Sequence, residues 1–211
     1  MEPTDTEILD VRSVGADTVA IDIATPDEFD AQPGQFVKLS ATLEGEETSR
    51  FYTISSPTVS TEFEIIVEID PEGTLGPWLA DRSVGDSVTL EGPFGNNFYE
   101  GESEVLILAG GPGVGPAIGI AEHTLGEGGD AAVVYCDEDP ILEDRLDAAR
   151  ENGAFVSVVE NEAELTDPVA DALTEDTQVF VYGFAEFLDT ATSVISNSGG
   201  TPEDAKVENF G

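Results

Sequence analysis

Arg50-Phe51-Tyr52-Thr53-Ile54-Ser55-Ser56-Pro57 sets a guanidinium two residues before a phenol. In an extended strand Arg50 and Tyr52 share one face, and Phe51 and Thr53 the other. A guanidinium fork can bond two oxygens of a pyrophosphate at once. An aromatic ring beside it can stack on a flat heterocycle. Arg50 is also one of five arginines in a chain that otherwise avoids positive charge. Taken alone, the stretch also reads as an ordinary barrel strand, and on these grounds that plainer reading stands first.

A second stretch, Ala109-Gly110-Gly111-Pro112-Gly113-Val114-Gly115-Pro116, follows an apolar run and opens a helical pattern. Gly111, Pro112, Gly113 and Val114 would let backbone amides approach a pyrophosphate at a helix N-terminus, where partial positive charge gathers. Pro116 suits the first helical turn, where a missing N–H costs little. A tight turn without a ligand is the alternative. A third stretch, Tyr182-Gly183-Phe184-Ala185, ends the last long strand. Glycine at a strand's carboxyl end permits close approach of a ring, although by itself this stretch is better read as a turn. Cys136-Asp137-Glu138-Asp139 ends another strand with acids that would repel a 2′-phosphate or bond a ribose diol. The alternative is that these acids belong to a generally acidic surface.

The elements that must position these groups fall into two sets. Period-two alternation predicts strands over 7–12, 18–24, 36–41, 51–55, 62–69 and 87–91, separated by turns at Pro33-Gly34, Glu44-Gly45, Pro71-Glu72-Gly73 and Val84-Gly85-Asp86. Six short strands at this spacing predict a six-stranded antiparallel β-barrel, with a short helix over 77–82. From Gly101 the pattern changes. Strands are expected over 105–109, 131–135, 154–159 and 178–182, and helices over 116–125, 141–152, 165–173 and 186–196. That alternation predicts an α/β domain with a parallel sheet. The boundary is expected at Tyr99-Glu100-Gly101-Glu102, giving domains 1–100 and 101–211.

Forty-five acids against seven lysines and arginines give a formal charge of −38, spread along all 211 residues. Such self-repulsion strains a compact fold at low salt, and at molar salt a Debye length of about 3 Å screens it. A halophilic, cytoplasmic protein is expected. A polyanion mimicking nucleic acid is the weaker alternative, and nucleic-acid binding is disfavoured for want of cations. No apolar run reaches the roughly 20 residues of a membrane helix, so no membrane insertion is expected, and the N-terminus lacks the marks of a signal peptide. One cysteine, Cys136, and one histidine, His123, exclude an internal disulfide and a cysteine-ligated cluster within these residues, and no metal site is expected. His123 and Cys136 are expected to be structural, and Trp78 to pack its helix over the barrel.

The chain resembles the ferredoxin–NADP reductase family of flavoproteins, most closely its stand-alone archaeal members. That family's flavin motif, Arg-x-Tyr-Ser/Thr, stands as Arg50-Phe51-Tyr52-Thr53. Its barrel entry is Pro33-Gly34-Gln35, its barrel exit Gly92-Pro93-Phe94-Gly95, and its nicotinamide loop Gly111–Pro116, all in the family's order. The resemblance implies an FAD-binding barrel followed by an NAD(P)-binding domain. It implies Arg50 on flavin phosphate, Tyr52 against the isoalloxazine and Thr53 beside its N5 atom. Phe51 falls within the same motif. Val67, Glu68 and Ile69 would offer backbone contacts, and Gly73, Thr74 and Leu75 would lie along the phosphates. FMN remains open beside FAD.

Three departures from the family stand out. Gly73-Thr74-Leu75-Gly76 replaces Gly-x-x-Ser/Thr, so Thr74 would have to supply the missing contact. Tyr182-Gly183 replaces Cys-Gly beside the nicotinamide, ahead of Phe184. The ending Glu208-Asn209-Phe210-Gly211 resembles the family's aromatic tail, with Phe210 as a gate or merely as packing. The implied activity is hydride transfer from NAD(P)H to flavin, with NADH favoured by Asp137. Electrons would pass on to a ferredoxin-like protein, a free flavin or a quinone. The alternatives are an electron-transfer subunit of a larger complex and a binding module without turnover.

Overall fold

The computed structural model describes residues 2–211. It divides into two compact units that meet in sequence at Phe98 and Tyr99.

Alternation builds the first unit. In β2 (Thr18–Ala24), Val19, Ile21 and Ile23 point into the core while Asp22 faces outward. The same rule puts Val37 and Leu39 of β3 (Phe36–Leu43) and Val88 and Leu90 of β6 (Ser87–Phe94) into the core, and β1 (Thr4–Ser13), β4 (Glu46–Thr53) and β5 (Glu62–Glu68) complete the sheet. Their order is β4-β3-β6-β1-β2-β5, and every pairing is antiparallel. An isolated bridge between Ile54 and Ile65 joins the two edge strands, so the sheet closes as the expected six-stranded barrel. Each fully buried aliphatic side chain stabilises it by about 1.5–3 kcal/mol. Helix α1 (Leu75–Ala80) presses Leu75 and Leu79 into that core.

β4 begins earlier than the apolar pattern suggests. Glu46–Arg50 carries no apolar residue, but the turn Glu44-Gly45, with φ of 53° and 90°, makes a tight hairpin. Both central residues are left-handed, as a two-residue hairpin turn requires. Pairing with β3 then runs from Leu43–Glu46 to Phe36–Thr53 and draws the polar segment into the sheet.

In the second unit β7 (Glu104–Gly110), β8 (Asp130–Cys136), β9 (Phe155–Val159) and β10 (Gln178–Gly183) are parallel. The order is β11-β10-β7-β8-β9, with β11 (Lys206–Asn209) on the edge. Leu106, Leu108, Val134 and Val181 cluster with residues of α4 (Thr166–Ala172) and α5 (Ala185–Asn197). Helices α2 (Val114–Gly126) and α3 (Glu143–Glu151) pack together. β11 is the one strand the alternation does not foresee. It offers a single apolar residue, Val207, and is held instead by Lys206, whose ammonium bonds Glu100 (2.8 Å) and Glu102 and lies 5.3 Å from the Phe180 ring.

Candidate functional site

Arg50 stands apart from the other cations. Arg12, Lys38, Arg82, Arg145, Arg150 and Lys206 each hold a carboxylate. Among the described residues Arg50 is the one Lys or Arg without an acid within 4 Å. Its guanidinium donates to the Ser49 carbonyl, at 2.8 Å. In a chain of charge −38 an exposed, unclaimed guanidinium is chemically conspicuous.

Strand alternation places Arg50 and Tyr52 opposite Leu39 and Val37, on the inward face. Tyr52 is half-buried against the barrel core, and burial pushes its phenol up to about 12 although Arg50 pulls the other way. Thr53 is buried. Phe51 points outward. It is 61% exposed and meets Phe36 and Phe94 edge-on, at 5.5 and 6.1 Å between centroids. Gly95 makes room for that Phe36 ring; a Cβ there would stand 3.0 Å from it.

The ladder between β4 and β5 is reduced to the bridge Ile54–Ile65. Antiparallel continuation from that bridge sets Tyr52 toward Val67 and Arg50 toward Ile69, but no further pairs form there among the described residues. The two strands thus part where Arg50, Tyr52 and Thr53 face the end of β5. Val67 is a core residue, Glu68 is exposed, and the Ile69 N–H donates to the Asp17 carbonyl at 2.7 Å. Gly73 closes a turn onto the Asp70 carbonyl at 2.9 Å, and the exposed Thr74 hydroxyl makes no capping bond to α1, which begins at Leu75.

In the second unit Gly111–Gly113 forms a 3-10 turn that runs into α2. Gly113 is obligatory for packing, because a Cβ there would lie 2.4 Å from the Tyr182 carbonyl oxygen. The glycine loop therefore rests directly on β10. Gly110 and Gly183 make room for the Phe187 ring, which a Cβ would meet at 2.6 and 2.7 Å. Their bareness serves this internal packing.

Tyr182 is fully buried and stacks beside Phe180, with rings 6.5 Å apart. Its hydroxyl has no hydrogen-bond partner among the described residues. Burial, with Glu208 and Glu102 nearby, raises the phenol far above its ordinary range. Glu208 pairs with Tyr182 in the β10–β11 register, and burial pushes its carboxyl up to about 7. At the same end the Phe210 N–H donates to Gly183 O at 3.1 Å. The Phe210 ring meets exposed Phe184 edge-on, at 6.0 Å.

Asp137 follows β8. Its Oδ2 accepts from the Tyr135 hydroxyl at 3.0 Å, and its Oδ1 accepts from the Asp139 N–H at 2.9 Å. Tyr135 and Glu208 are the residues of this region that motif reasoning overlooks. For Tyr135 the signal is the i, i+2 step to Asp137 at a strand end. Cys136 is half-buried, with its thiol pushed up to about 11 by burial and neighbouring acids, a poor nucleophile. His123 packs edge-on against Tyr99.

Residues 5–99 match the oxidoreductase FAD-binding domain family. A ferredoxin NADP+ reductase from Neisseria gonorrhoeae, solved with FAD and NADP, superposes with a TM-score of 0.83 over 100% of both chains at 18% identity. The likeness is one of fold. The same fold also aligns with the FAD/NAD-binding domain of a Vibrio cholerae nitric oxide dioxygenase, with a TM-score of 0.81, 23% identity and 98% coverage of each chain. In sequence it is 41% identical over 92 residues to the glycine betaine monooxygenase reductase subunit of Chromohalobacter salexigens, covering 42% of this chain and 25% of that protein. It is 32% identical over 151 residues to the toluate 1,2-dioxygenase electron transfer component of Pseudomonas putida, covering 67% of this chain and 44% of that protein. The chain thus spans less than half the length of these curated relatives. No described helix is long and apolar enough to cross a membrane.

Proposed function

We propose that this chain is an FAD-dependent NAD(P)H oxidoreductase that passes electrons to an acceptor protein. The observation that carries this reading is Arg50, the cation left without an acid, beside half-buried Tyr52 and at the place where β4 and β5 part. These residues fit a flavin dinucleotide. An unclaimed guanidinium suits a pyrophosphate, a phenol suits a flat ring, and the unpaired strand edges suit polar ring atoms. Bound there, the flavin would supply acceptance of a hydride and release of electrons singly or in pairs.

The remaining roles belong to the chain. Arg50 holds phosphate, Tyr52 packs the ring, and Thr53 presents its hydroxyl beside the reacting edge. The backbone of Val67, Glu68 and Ile69 and the turn Gly73-Thr74-Leu75 extend the same site. Phe51 contributes backbone only, since its ring faces away with Phe36 and Phe94. In the second unit Gly111, Pro112, Gly113 and Val114 receive the nicotinamide dinucleotide's pyrophosphate, and Asp137 receives its adenosine ribose. Gly183, Phe184 and Phe210 take its nicotinamide end. Holding donor and acceptor rings in register supplies most of the rate.

NADH is the preferred donor in this reading, because the acids at Asp137–Asp139 repel a 2′-phosphate. An acceptor protein is favoured over a free flavin or quinone by the relatives, which are named as a reductase subunit and an electron transfer component. A salt-rich cytoplasm is the setting proposed for so acidic a chain. Catalytic efficiencies for NADH and NADPH at matched molar salt test the donor choice, and a higher value for NADPH would overturn it. Co-purification at the same salt identifies the acceptor.

A further inference from the structure

We infer that Tyr135 is the positioning residue that sets the chain's choice between nicotinamide dinucleotides, by holding the Asp137 carboxylate in one orientation at the end of β8. The inference rests on the proposed reading that this domain binds such a dinucleotide.

Tyr135 is fully buried beneath the loop that it controls. Its phenol is tied twice. It donates to Asp137 Oδ2 at 3.0 Å and accepts from the Ile141 N–H at 3.4 Å. One oxygen thus pins both ends of the loop 136–141 to the strand beneath it. The other carboxylate oxygen accepts from the Asp139 N–H at 2.9 Å, and the Asp137 N–H itself donates to the Val159 carbonyl of β9 at 3.0 Å. Asp137 therefore has its backbone and both oxygens constrained.

Each carboxylate oxygen can accept a second hydrogen bond. A group held this way presents two acceptors with little rotamer freedom left to lose, which is the arrangement that a vicinal diol needs. The Gly110–Cys136 pairing of β7 and β8 sets this loop next to the glycine turn. The helix that follows the loop in sequence, α3, offers no free cation for a phosphate, since Arg145 is bound in two places by Glu122, at 3.0 and 2.7 Å, and Arg150 is paired with Asp147. Tyr135 touches no ligand itself. It acts through Asp137.

The test uses ADP-ribose and its 2′-phosphate derivative as probes, titrated calorimetrically into the full chain in molar KCl. Tyr135→Phe deletes one oxygen and keeps the buried ring. It is expected to weaken ADP-ribose about fivefold, the size of one lost hydrogen bond, while changing the 2′-phosphate derivative less than about twofold. Asp137→Asn is expected to cut the same preference further. The double variant should lose no more than Asp137→Asn alone, the mark of two residues acting as one. Unchanged preference in a folded Tyr135→Phe protein, or additive losses in the double variant, would overturn the inference. Failure of the parent protein to bind either probe would overturn the nucleotide-binding reading beneath it.

Discussion

Arg50 carries more of the account than any other residue, and its test is direct. Arg50→Gln keeps the strand and removes the charge. FAD affinity is expected to fall about 10- to 100-fold, as loss of a charge-assisted pair implies, measured by quenching of flavin fluorescence in molar salt. Unchanged affinity would remove Arg50 from the site. The sequence makes this residue visible because its motif has an order and a spacing. It does not show that Arg50 alone lacks an acid, since that depends on where the other carboxylates fold. It also hides Tyr135, whose part is a bond two residues along a strand end, and Phe51 stands inside the motif while its ring packs outward with Phe36.

Elements were legible where local pattern and tertiary demand agree. Buried runs such as Val105–Ala109 and the Glu44-Gly45 turn show both the parallel sheet and the barrel. β11 was not legible, because an edge strand of Lys206-Val207-Glu208-Asn209 is held by its neighbours rather than by its own apolarity. Two predictions belong at this scale. Gly113→Ala forces a Cβ to 2.4 Å from Tyr182 O. It should destabilise the second unit by about 1–3 kcal/mol and abolish nucleotide binding, with flavin content preserved. Nucleotide affinity equal to the parent's would show that the loop can move.

The second concerns Glu208, whose folded carboxyl stands at about 7 against 4.5 for the free group. The folded chain keeps a proton there that the unfolded chain releases. The contribution is complete below about pH 4.5 and is lost as the pH rises through 7. Discounted for partial exposure, it amounts to about 1–2 kcal/mol. Glu208→Gln should therefore gain that much on the parent between about pH 5 and pH 8, in urea midpoints at constant salt. A difference that does not change with pH would contradict the burial of this carboxyl.

At the scale of the whole molecule, the dominant feature is charge. With −38 on 211 residues, thermal stability should rise steeply from 0.1 M toward about 2 M KCl as the Debye length shrinks toward about 3 Å. A flat profile would argue against the proposed saline setting. The same salt must be present when the central claim is tested, which is that this chain takes electrons from a nicotinamide and holds them on a flavin. The most direct measurement is the visible spectrum of the purified protein, reconstituted with FAD in molar KCl and titrated anaerobically with NADH. The account predicts a yellow protein whose flavin band bleaches with about one NADH per flavin, as a two-electron hydride transfer requires. A protein that retains no FAD, or whose band survives excess NADH and NADPH alike, would contradict it.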